Sequence, residues 1–149
     1  MKPVILETPY AGDVERNLAY ARYAMHDCLV NHNESPYASH LLYTQEHVLD
    51  DNIPQERELG IRAGFAWRQQ SVKTVFYVDL GWSPGMMLGL DDVTGRMCLS
   101  IRRLPRKLYE DFLEKYPDNG SQLIYESPDK GKTIYERKFG ETTDRKRIL

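Results

Sequence analysis

Thr74-Val-Phe-Tyr-Val-Asp-Leu-Gly-Trp-Ser-Pro-Gly-Met-Met-Leu-Gly89 is the stretch whose reading decides the fold. Residues 74–79 are apolar on both faces, as expected of a strand buried from two sides. Ser83 then reads as a helix N-cap and Pro84 as the first helical residue. A buried strand running straight into a helix start predicts a parallel α/β sheet. Ligands of such sheets collect at the carboxyl ends of the strands, where free helix N–H groups favour anions.

The pattern repeats outward from this segment. Val4-Ile-Leu6 begins a short strand, Thr8-Pro-Tyr-Ala-Gly12 is a loop, and Asp13 is placed to cap a long helix. Val14, Leu18, Ala21, Met25 and Cys28 form one apolar stripe of that helix. Asn31-His-Asn33 ends it, and Pro36-Tyr-Ala-Ser39 reads as a second strand leading into His40. Asp50 and Asp51 lie in a solvated loop, Pro54 opens a helix running to about Gln70, and the helix from Pro84 runs to about Val93 with Gly95 as its stop. Met97-Cys-Leu-Ser-Ile101 is the fourth strand. The order β-α-β-α-β-α-β predicts a Rossmann-like three-layer α/β fold with a parallel sheet and right-handed crossovers. Beyond it, a helix is predicted over 107–115. Strands are predicted over 123–126 and 133–137, around a turn at Pro128-Asp-Lys-Gly131, with a frayed end from Glu141.

Composition bounds the rest. The 149 residues are 41% hydrophobic and 28% charged, which excludes a disordered chain and suits one domain with a core. Residues 1–101 carry 8 basic and 13 acidic side chains, and residues 102–149 carry 12 and 9. That shift predicts a core domain over 1–101 and an appended segment over 102–149, too weakly basic to argue for nucleic acid. Apolar runs are too short for a membrane span, and Met1-Lys2-Pro3 leads into a strand without a signal peptide, so a cytoplasmic protein is expected. Cys28 and Cys98 are expected to be reduced core thiols. The four histidines lack metal-ligand spacing, so neither a metal nor a cofactor is expected.

The candidate chemistry sits at the predicted strand ends. Thr8, Pro9, Tyr10 and Gly12 form a tight turn that lets a ligand approach the backbone, although the turn lacks any dinucleotide or P-loop pattern. Glu7 ends a central strand, where it either reaches the cleft or pairs with an arginine. Ser39 and His40 follow the second strand. Ser83, Pro84, Gly85 and Met86 offer a hydroxyl and helix N–H groups to an anion. Gly60 and Gly64, four apart on the second long helix, predict a close approach of another helix or of a partner chain.

Taken together, Thr8-Pro-Tyr-Ala-Gly-Asp13, Ser39-His-Leu-Leu-Tyr-Thr-Gln45 and Ser83-Pro-Gly-Met86 resemble the nucleoside 2-deoxyribosyltransferase-like superfamily, in particular a bacterial and phage branch of it. The resemblance covers residues 3–101. It implies a nucleotide or nucleoside ligand, cleavage or exchange of an N-glycosidic bond, and a homo-oligomer. The superfamily's glutamate nucleophile would fall at Gly89, its orienting tyrosine at Ile5, and its base-protonating aspartate near Gly64. None of these three positions carries the expected group. Side chains alternate along a strand, so Glu7 faces the same way as Ile5. Two expectations follow: an N-glycosidase or transferase using Glu7 as a relocated carboxylate, or a catalytically inactive module that sequesters or senses a nucleotide-derived ligand.

Overall fold

The computed structural model describes residues 1–93 and 98–119, with the strand backbones at 123–126, 135–138 and 146–147. The elements are β1 (Lys2–Glu7), α1 (Val14–His32), β2 (Glu34–Tyr37), α2 (Ser39–Leu42), α3 (Pro54–Arg68), β3 (Lys73–Tyr77), α4 (Pro84–Val93), β4 (Cys98–Arg102) and α5 (Arg106–Lys115), followed by β5 (Leu123–Glu126), β6 (Tyr135–Lys138) and β7 (Lys146–Arg147). Strands β1–β4 form one all-parallel sheet in the order β2-β1-β3-β4. This is the predicted Rossmann-like three-layer α/β architecture. The order reverses between β1 and β3, so the ligand crevice of such a sheet is expected outside the carboxyl ends of those two strands.

Strand alternation assigns the layers. Val4, Leu6, Val75 and Tyr77 point into a core shared with Tyr20, Ala24 and Cys28 of α1 and Phe112 of α5. Ile5 and Glu7 face the opposite side, where α3 and the start of α4 lie. The face of α1 that meets the sheet coincides with the predicted stripe only in part: Ala21 and Cys28 are fully buried and Leu18 is half-buried. Val14 is exposed and Met25 half-buried, while Asn17, Tyr20, Ala24, Asp27 and Cys28 are buried. The reason is polar bonding that a hydropathy pattern misses. Asp27 accepts from Tyr77 Oη and Asn31 Nδ2, and Asn17 Nδ2 donates to the Tyr10 and Ala11 carbonyls.

The helix ends follow their chemistry. Asp13 accepts from the Arg16 N–H at 3.2 Å, and Asn33 closes α1 in the left-handed conformation, φ 53°. Ser83 caps α4, its Oγ accepting from the Met86 N–H at 3.2 Å. The second strand starts two residues earlier than predicted, so Ser39 opens a one-turn helix instead of ending β2.

Two expectations are corrected. Cys28 is buried, but Cys98 is exposed, because β4 is the edge of the sheet. Lys146 and Arg147, within the predicted frayed end, pair antiparallel with Tyr135 and Glu136, so the described residues of the C-terminal segment form three strands rather than a hairpin; residues 141–145 and 148–149 lie outside the described residues. The helix stop at Gly95, the turn at residues 128–131 and the first residues of the strand predicted over 133–137 lie outside the described residues. The segment after residue 101 begins inside the α/β body: Phe112 is fully buried against Tyr20 and Tyr23, and Leu104 N–H donates to Asp79. No helix among the described residues is long and apolar enough to cross a membrane.

Candidate functional site

A cavity of about 150 Å³ opens at the carboxyl ends of β1, β2 and β3. It lies beside the reversal of strand order. Ile5, Glu7, Thr8 and Tyr10 enter it from β1 and the following loop, Ser39 and His40 from α2, and Ser83, Pro84, Gly85 and Met86 from the start of α4. Nine of the predicted site residues are therefore brought together by three separate strand ends. Pro9 and Gly12 are not. Pro9 is buried but does not line the cavity. Gly12, with φ 99°, supplies the turn and lines a second, more open cavity of about 820 Å³ that shares Tyr10, Asp51, Glu56 and Arg57 with the first.

Glu7 reaches the cleft and pairs with an arginine, so both readings of that residue hold at once. Arg68, at the end of α3 and 4% exposed in its side chain, donates from Nη2 to Glu7 Oε1 at 2.6 Å. Its Nη1 bonds Asp92 at 2.7 Å and the Gly89 carbonyl at 2.9 Å. Burial pushes the Glu7 carboxyl above its ordinary value against the pull of Arg68, and Asp92 adds to the rise. Gly89 explains how this group fits. A Cβ built there would lie 2.9 Å from Arg68 Nη2 and 3.0 Å from Glu7 Oε1. The Glu7 carboxyl and the guanidinium thus occupy the space into which a side chain at 89 would project. Arg68 carried no local sequence signal; only the fold brings the end of α3 to the end of β1.

His40 Nε2 and Thr8 Oγ1 share a hydrogen bond of 2.7 Å. Burial lowers the His40 pKa to about 4, so the imidazole is neutral near pH 7. Ser83 is more committed than predicted. Its Oγ already satisfies the Met86 N–H, which removes that donor from any anion cradle. Met86 and Met87 are buried, so core packing is their main role.

Gly60 and Gly64 face the same chain. A Cβ at Gly64 would stand 3.1 Å from Ser39 Cβ and Oγ, and one at Gly60 would meet Leu49 and Tyr43. The close approach is therefore α3 against α2 and its following loop, and these glycines give no ground for a partner chain. Tyr37, Tyr43 and Phe65 add an aromatic wall, and the Tyr37 hydroxyl is buried without a hydrogen-bond partner among the described residues. At the rim, Arg57 pairs with Asp51 at 2.6 Å, and Glu56 accepts the Asp50 N–H at 2.6 Å.

A parallel α/β domain with a carboxylate-bearing cavity at its topological switch point is the class that the fold and site define. Within it, the chain belongs to the family described as Domain of unknown function (DUF7768), whose model matches residues 2–102. No curated protein and no solved structure matches the chain. The family match spans every strand of the parallel sheet and every residue predicted for the site.

Proposed function

We propose that the cavity binds a nucleoside or nucleotide and that Glu7 acts on its N-glycosidic bond. The observation that carries this reading is the contact of the Glu7 carboxyl with Gly89. The resemblance implied by the three loop motifs asks for a carboxylate at position 89, and β1 delivers one to the space in front of it. Oε1 is held by Arg68, and no other hydrogen bond to Glu7 is made among the described residues, so the second oxygen is available to a ligand. In the reaction this oxygen attacks the anomeric carbon as the bond to the base nitrogen breaks. The bonding pair leaves with the base, and water then hydrolyses the glycosyl ester.

Incubation of the full chain with a panel of nucleosides and deoxynucleoside monophosphates tests the proposal. Free base is expected with the wild type, and Glu7→Gln should lower the rate by about a thousandfold or more. Release that is unchanged in the variant, or absent from every compound, would overturn it. The Arg68 ion pair favours a second reading, a module that binds without turnover, because a neutralised carboxylate is a weaker nucleophile. That reading requires nucleoside-dependent thermal stabilisation of wild type and Glu7→Ala alike, about 2.7 kcal/mol at ~100 times Kd, with no base released.

A further inference from the structure

We propose that the preferred substrates of this cavity are N-glycosides whose base already carries a positive charge, such as ribosylpyridinium and N7-alkylated purine nucleosides. The inference rests on the N-glycosidic reading and specifies its substrate class.

Three observations lead to it. First, among the described lining residues neither a free carboxylic acid nor an imidazolium stands ready to protonate a departing base. Its carboxylates are all engaged as acceptors: Glu7 with Arg68, Asp51 with Arg57, and Glu56 with the Asp50 N–H. His40 is held neutral by burial and stays so until the pH approaches about 4. At Gly64, where the resemblance asks for the base-protonating acid, α3 has no room for one, because a Cβ there already stands 3.1 Å from Ser39. Neutral bases are poor leaving groups without such a proton. A cationic base needs none: the bonding pair moves onto the ring nitrogen, cancels its charge, and the base departs neutral. Glu7 forms the new bond to the anomeric carbon, and water later cleaves that ester, its proton passing to solvent.

Second, the lining is negative. It holds Glu7, Asp51 and Glu56 against the single guanidinium of Arg57. Arg68, behind Glu7, is balanced by Asp92. Third, Tyr10, Tyr37 and Tyr43 line the same space, and aromatic faces attract cations as carboxylates do.

The test measures base release from ribosylnicotinamide, N7-methylguanosine, guanosine and deoxyadenosine by the full-length protein at pH 7.5. The two cationic nucleosides are expected to exceed the neutral pair by about a hundredfold or more in kcat/KM, in keeping with the 10²–10⁴-fold that a positioned acid supplies to neutral substrates. Asp51→Asn, which frees Arg57, should raise KM for the cationic substrates about tenfold more than it raises KM for guanosine, and an equal effect on both counts against the charge preference. Equal or faster cleavage of guanosine or deoxyadenosine overturns the charge preference while the N-glycosidic reading stands. No release from any of the four removes both.

Discussion

Two glutamates on opposite faces of the sheet, Glu34 buried and Glu7 half-buried, show opposite behaviour. Glu34, at the start of β2, takes both guanidinium nitrogens of Arg102 at 2.7 and 2.9 Å and Lys73 Nζ at 2.6 Å. These partners hold its pKa down at about 2. Glu7 receives one hydrogen bond, from a guanidinium that it shares with Asp92 and the Gly89 carbonyl, and burial pushes its pKa up. The difference lies in how completely each charge is compensated. Glu34 is fully satisfied and serves structure. Glu7 keeps an unspent oxygen at a cavity, the state that suits a reacting carboxylate.

The contrast gives opposite signs for stability. Glu34 has a depressed folded pKa, so its contribution is present above the ordinary carboxylate range and is lost as the pH falls toward 2. Glu34→Gln is expected to cost about 3 kcal/mol at pH 7, measured by urea unfolding, because it leaves Arg102 and Lys73 without their buried counter-charge. A loss below about 1 kcal/mol would break the comparison. Gly89→Ala comes next. The added methyl must displace Arg68 or Glu7, which is expected to cost about 2 kcal/mol and to reduce base release in step. His40→Gln should remove about 1 kcal/mol of the acid-dependent loss. The neutral imidazole of the folded protein contributes stability that is present above the unfolded value and lost as the pH falls toward about 4. An NMR titration in which His40 charges near pH 6.5 would contradict this. Glu7→Gln should change stability by less than about 1 kcal/mol. With its folded pKa raised, the ionised group detracts from stability at neutral pH, and protonation on lowering the pH restores it. Substantial destabilisation by Glu7→Gln would make Glu7 a second structural glutamate.

Much of this was legible in the chain. The Ser83–Pro84 start of α4, the Asp13 cap and the Asn33 stop have local causes, because capping depends on side chains within a few residues of the bond they make. The site was legible wherever it follows strand ends, which is why nine residues from three separate loops meet in one cavity. The inner face of α1 was legible only at Ala21 and Cys28, since buried Asn17 and Asp27 are stabilised by partners 4 to 50 positions away. Exposed Cys98 was missed for a related reason: an apolar pentapeptide reads alike at the centre and at the edge of a sheet.

The sequence by itself determined the alternation of strands and helices, the caps, and the candidate role of Glu7 at the end of β1. Tertiary structure alone decided what Glu7 is. Arg68 is 61 residues distant along the chain and Gly89 stands on another helix, yet the β1–β3 pairing and the approach of α3 bring all three into contact. Charge compensation depends on distance in space, which local sequence patterns do not encode.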